Sequence, residues 1–173
     1  LIEAQDISFG YHASVPILNG LSFTIQRGQH TAIIGESGAG KTTLASLLLR
    51  LWEVDGGMLS YRGAKHTELS PTATRALFGA ALQGSYLFST SIRDNFLRLH
   101  EGITEERMWE ALETAQLADV VRALPAGLDE ELGANAARLS GGQRSRLLTA
   151  LALASNAPIL LLDEPTAGLD AER

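Results

Sequence analysis

The sequence predicts an α/β fold, and three observations carry that expectation. Short apolar runs of strand character alternate with stretches in which leucine and alanine recur at helical spacing. A glycine-rich loop, Gly35–Thr43, lies between one such run and one such stretch. Late in the chain Ile159–Leu162 is uninterruptedly apolar, the pattern of a central parallel strand covered on both faces.

The elements follow in order. Ile2–Phe9 and Leu21–Ile25 alternate apolar and polar residues and predict strands with one buried face. Asn19-Gly20 and Arg27-Gly28 are turn signals. His30–Ile34 is a short apolar run and predicts a buried strand that ends in Gly35. Lys41–Leu51 has helical spacing. Asp55-Gly56-Gly57 predicts a turn into a strand at Met58–Tyr61. Arg75–Gln83 suits strand or helix equally. Ser91–Leu97 and Thr104–Ala115 predict helices, the second with a threonine cap and acidic residues in its first turn. Ser140 opens a helix running to about Ala154. The helical block over 91–155 suggests a subdomain beside the sheet.

Composition narrows the function. The chain has 173 residues, 45% hydrophobic and 20% charged, enough for a globular core. A net charge of −6, with no face of Lys and Arg to be read from the pattern, argues against a nucleic-acid partner. With no cysteine there is no disulfide, thiolate metal site or cysteine nucleophile. No apolar stretch approaches the ~20 residues that span a bilayer. The opening Leu-Ile-Glu lacks a leader pattern and suggests a chain excised from something longer.

Gly35-Glu36-Ser37-Gly38-Ala39-Gly40-Lys41-Thr42, followed by Thr43, fits the phosphate-binding P-loop pattern. Glycines let the backbone turn tightly and approach an anion, and their N–H groups cradle phosphate oxygens. The helix behind the loop adds the positive end of its dipole. Lys41 is suited to the β- and γ-phosphates and Thr42 to Mg²⁺. The apolar run 159–162 ends in Asp163-Glu164. At the carboxyl edge of a parallel sheet Asp163 would reach Mg²⁺, and Glu164 would polarise an attacking water. Leu139-Ser140-Gly141-Gly142-Gln143 forms a second anion-ready helix start: Ser140 caps the helix and the glycines leave backbone N–H groups open.

This pentapeptide resembles the signature motif of ABC ATPases, and the likeness extends from the first strand to Asp170. Tyr11, 24 residues before Gly35, resembles the family's adenine-stacking aromatic residue. Gln83 resembles the glutamine that touches Mg²⁺ and the attacking water, and Ala167–Asp170 the loop that crosses the dimer interface. The resemblance implies a P-loop NTPase core with a central, mostly parallel sheet, an N-terminal antiparallel β subdomain and an inserted α-helical subdomain. The expected division is 1–30 for the β subdomain, 31–85 with 156–173 for the core, and 86–155 for the helical part. It implies ATP and Mg²⁺ as ligands, held between two ABC domains by the P-loop of one and residues Leu139–Gln143 of the other. It also implies ATP hydrolysis that drives a transmembrane domain contacting Gln83–Phe96, at the cytoplasmic face of a bacterial inner membrane. Leu87–Ser89 and Ile92–Asn95 look like the exporter-type version of that contact region. The wording there and at Gly168–Ala171 is similar to heterodimeric cysteine/glutathione exporters of cytochrome bd assembly.

The chain departs from the family pattern at three places. Ala134 stands where exporters usually have a glutamate, and Leu151 where an arginine is usual. His12, His30, His66 and His100 all precede Asp163, so none is the family's switch histidine; each is expected on the surface or in a loop. A domain incomplete at its C-terminus is therefore expected, with weakened turnover. A soluble ABC ATPase without membrane domains, or a binding module of low turnover, is the alternative. GTPases are disfavoured because no Asn/Thr-Lys-x-Asp segment occurs.

Overall fold

A computed structural model of the chain describes residues 1–12, 15–82 and 84–164. It divides into two compact units, Leu1–Leu77 and Phe78–Arg173.

The first unit is built on a four-stranded antiparallel sheet in the order β2-β1-β3-β4. Its strands are β1 (Ile2–Phe9), β2 (Leu18–Ile25), β3 (Gly56–Tyr61) and β4 (Ala64–Lys65). Ile2, Ala4, Ile7 and Phe9 of β1 are buried. The change from even to odd spacing after Ala4 is produced by a register shift between Ala4 and Ile7, where Asp6 takes φ 49°. Helix α1 (Lys41–Leu48) contributes Leu44, Ala45, Leu47 and Leu48 to the buried set. Short α2 (Pro71–Arg75) starts with proline at its first turn, capped by the Ser70 side chain.

The second unit pairs β5 (Phe78–Ala81) with β6 (Ile159–Leu162) in parallel, register Phe78 to Ile159. Around it lie α3 (Ile92–Leu99), α4 (Glu105–Thr114), α5 (Ala118–Ala123) and α6 (Gly141–Ala154). Their shared core includes Ile92, Phe96, Leu112, Leu117, Val121, Leu132 and Leu147, each 0% exposed. That burial, rather than helix propensity, holds such short helices. Gly79 lets β5 approach α6: a Cβ there would fall 2.2 Å from the Ala152 carbonyl oxygen.

Caps are where expected. Ser91, Thr104 and Ser140 each accept a bond from the backbone N–H three residues on. Four expectations need correction. His30–Ile34 forms no strand, and Ile34 is 89% exposed. An apolar run becomes a parallel strand only when neighbouring strands take its hydrogen bonds, and none of the described strands pairs with it. Ile159–Leu162 is a strand, but half-buried rather than covered on both faces, since β5 is its one described partner. Asn19-Gly20 lies inside β2, not in a turn: Gly20 takes φ 67° and donates to Ser8 Oγ at a register irregularity. His66 is buried, its Nδ1 facing the Leu59 N–H and carbonyl at 3.3 and 3.0 Å. The Arg75–Gln83 ambiguity resolves into the end of α2 and then β5.

Candidate nucleotide site

In the first unit the loop Gly35–Gly40 runs into α1 with Gly38 at φ 83° and Gly40 at φ 88°. Both values lie in the left-handed region that favours glycine. Gly40 is also crowded, since a Cβ there would meet Ile17 Cγ2 at 2.9 Å and Leu18 Cδ2 at 3.0 Å. Gly40 supplies no side-chain cap at the start of α1. The Lys41 ammonium donates to the carbonyls of Gly35 (2.8 Å) and Glu36 (2.7 Å), arching over the loop. Ala39 N–H donates to Glu36 O at 3.2 Å and closes the turn. Residues 35–39 are exposed, as a loop that receives a ligand must be. The start of α1, the glycine backbone and the Lys41 ammonium form a donor set that fits a polyphosphate. Thr42 is exposed beside this loop, whereas Thr43 is buried.

Tyr11 lies next to the same helix, its hydroxyl 3.4 Å from Thr43 Oγ1. Its ring stands edge-on to Phe9 (5.1 Å, 85°) and to Trp52 (5.4 Å, 81°) and remains 45% exposed. The sequence singles out Tyr11 but not Trp52. A lone tryptophan past the end of a helix carries no motif signal, and the fold-back that brings it there is not a sequence pattern.

The second unit gathers the other candidates. Ser140 accepts from Gln143 N–H while Gln143 Oε1 accepts from Ser140 N–H, a capping box that fixes the first turn of α6. Gly141 is exposed at that start, and Gly142 and Leu139 are buried. A cleft of about 430 Å³ is lined by Gly141, Arg144, Leu82, Tyr86, Asp163 and Glu164, among others. Asp163 is held by its N–H donating to Ala81 O at 2.9 Å, which extends the β5–β6 ladder by one bond. Glu164 follows at φ 50°, exposed, a strained backbone of the kind that clusters at functional sites. The cleft thus collects three chain segments: the loop after β5, the start of α6 and the acidic end of β6. Arg144, which donates to Leu139 O at 2.9 Å, was not singled out in the sequence. It sits four residues past Ser140 on the helix, and that spacing was the available signal. Gln83 and Ala167–Asp170 lie outside the described residues.

Leu87, Ile92 and Phe96 are buried, whereas Tyr86 is 71% exposed against Phe88 (5.5 Å). Asn95 ties this stretch together by accepting from Phe88 N–H and donating to the carbonyls of Phe88 and Ser91. No helix among the described residues is long and apolar enough to cross a membrane.

The profile of a family described as ABC transporter matches residues 18–167. An ATP-dependent lipid A-core flippase of Saccharophagus degradans is 41% identical over 171 residues, 99% of this chain and 29% of that protein. A beta-(1→2)glucan export ATP-binding/permease protein of Rhizobium johnstonii is 39% identical over the same shares. A mycobactin import ATP-binding/permease protein of Mycobacterium bovis is 38% identical, over 99% of this chain and 30% of its own length. Among solved structures, a bacterial ABC exporter with ATP bound superposes with a TM-score of 0.93 at 36% identity, over 98% of this chain and 30% of that one. The chain spans less than a third of the length of these relatives.

Proposed function

Because this chain belongs to the ABC transporter family, we propose that it is the ATP-binding, ATP-hydrolysing domain of an exporter-type membrane transporter. The observation that carries the proposal is the loop Gly35–Gly40 entering an uncapped α1 under the Lys41 ammonium, a donor set matched to a triphosphate.

The roles are assigned as follows. Backbone N–H groups of Gly35, Glu36, Ser37, Gly38, Ala39 and Gly40, with Lys41, hold the β- and γ-phosphates, and Thr42 and Thr43 stand at the start of α1 beside them. Tyr11 stacks on the adenine. Thr42, Gln83 and Asp163 are the residues that would hold Mg²⁺, which would supply neutralisation of phosphate charge. Glu164 takes the proton of the attacking water, helped by Gln83. Leu139, Ser140, Gly141, Gly142 and Gln143 present the α6 N-terminus to the nucleotide of a second ABC domain. The transmembrane partner docks on Gln83–Phe96, and the assembly works at the cytoplasmic face of a bacterial inner membrane. The reading divides the domain into 1–30, a core of 31–85 with 156–173, and a mainly helical 86–155.

The export direction is supported by the flippase and glucan-export relatives. The import protein among the relatives makes direction the part to test in the full-length transporter. For the nucleotide chemistry the test is direct. MgATP at saturating concentration should raise the melting temperature, and Lys41→Ala should remove the shift. An unchanged shift in that variant would move the phosphate site elsewhere. Glu164→Gln should keep the shift and lower turnover of the full-length protein by about a hundredfold or more, the usual scale for losing a general base. Intact turnover would refute the role of Glu164.

A further inference from the structure

Three aromatic rings meet beside the P-loop helix. Tyr11 is flanked by Phe9 and Trp52, each nearly perpendicular to it, and Phe9 and Trp52 themselves lie 6.2 Å apart. The Tyr11 hydroxyl sits 3.4 Å from Thr43 Oγ1. Its ring is therefore held at three points: two ring neighbours and one polar end.

The position of Trp52 is itself fixed. α1 ends in a reversal in which Arg50 takes φ 50°, with Arg50 N–H donating to Leu47 O and Leu51 N–H to Ser46 O. The Arg50 guanidinium bonds the His66 and Leu69 carbonyls and Glu53. That anchor holds the turn from which Trp52 projects. Trp52 is 52% exposed, although a ring of this size is ordinarily mostly buried.

We infer that Trp52 is a positioning residue for nucleobase recognition: it fixes the plane of the Tyr11 ring so that its open face receives the purine. The inference rests on the reading of Tyr11 as the base-facing residue. The phosphate cradle works without Trp52, so the two contributions separate by ligand. A purine nucleotide uses both the cradle and the ring, whereas tripolyphosphate uses the cradle alone. Loss of one well-placed aromatic neighbour should weaken base stacking by roughly three- to tenfold in Kd.

Isothermal titration of the protein with MgATP and with magnesium tripolyphosphate tests this. Trp52→Ala should weaken MgATP by that factor and leave tripolyphosphate unchanged, and Trp52→Phe should restore most of the ATP affinity. In a Tyr11→Ala background, Trp52→Ala should cost nothing more, because the two act as one unit. Unchanged ATP affinity in Trp52→Ala overturns the inference. Equal weakening of both ligands overturns it too, since that is the mark of general loosening. A further loss in the Tyr11→Ala background would make Trp52 a direct base contact and also refute the positioning role. Failure of the Tyr11 reading looks different: the unsubstituted protein would bind MgATP no more tightly than tripolyphosphate.

Discussion

Tyr61 shows how one buried side chain couples the sheet to the P-loop helix. It is 1% exposed at the end of β3, and its hydroxyl donates to Leu48 O, in the last turn of α1, at 2.9 Å. Burial pushes that hydroxyl up to about 12 from its ordinary 10.0, against the pull of nearby Arg50. The folded value lies above the unfolded one, so the neutral form is favoured by folding. The resulting stability is complete below about pH 10 and is lost as pH rises through about 12. Urea midpoints measured between these values should fall steeply for the unsubstituted protein. For Tyr61→Phe they should fall less, at a cost of about 1 kcal/mol at neutral pH from the lost hydrogen bond. An equal alkaline slope in both proteins would show that another group dominates. A tyrosine's type and place in a strand are legible in the sequence, but its carbonyl partner, 13 residues away on a helix, is not.

Among the elements, local signals read well and pairwise ones read poorly. Helix α6 was legible because everything that starts it is within four residues: Ser140 at the cap and Gln143 completing the box. Ser140→Ala should therefore cost about 1 kcal/mol in a denaturation midpoint. It should also weaken nucleotide-driven association of two domains, if this helix start faces the partner's nucleotide. Full retention of both would remove α6 as an anion site. His30–Ile34 was misread for the opposite reason: its composition is that of a strand, but its state depends on neighbours contributed by distant sequence. The same holds for the cleft at Glu164, assembled from segments near 82–87, 141–148 and 163–164. Motifs single out Asp163, Glu164 and Gly141 one by one; only the fold brings them to one cleft.

At the scale of the whole molecule, each unit has its own stabilising logic. The first relies on an antiparallel sheet in which β1 joins its neighbour β2 to the distant β3, and the second on a helical core stitched at its surface. The principal stitch is Arg93, which donates to Asp129 (2.6 Å) and Glu105 (2.8 Å) and so joins α3, the turn at Gly127–Asp129 and the first turn of α4. Hydrogen bonds from Arg93 hold both carboxyls below their ordinary range, with Trp109 assisting at Glu105. Depressed folded values mean that the contribution is present above the unfolded carboxylate range and fades as pH falls through it, below about pH 4. Arg93→Gln should lower the neutral plateau of a stability–pH curve slightly and flatten its acid limb by the same small amount, because the pairs are exposed. An unaltered acid limb would rule the stitch out. The division into two units was legible only in outline, as a β-rich beginning and a helical middle. A boundary after Leu77 falls inside a stretch that suits strand or helix equally.

Trp52 and Trp109 are the only tryptophans in the chain, and they fall one to each unit. Trp52 sits among Phe9 and Tyr11, whereas Trp109 has the Arg122 guanidinium 5.0 Å over its ring and donates to Glu105. The protein therefore carries two native optical reporters in unlike surroundings. Replacing either one by phenylalanine leaves a single emitter that belongs to a known half of the chain. Nucleotide should change the emission of the first and leave that of the second almost untouched, and a temperature ramp read at each would count the cooperative steps in unfolding.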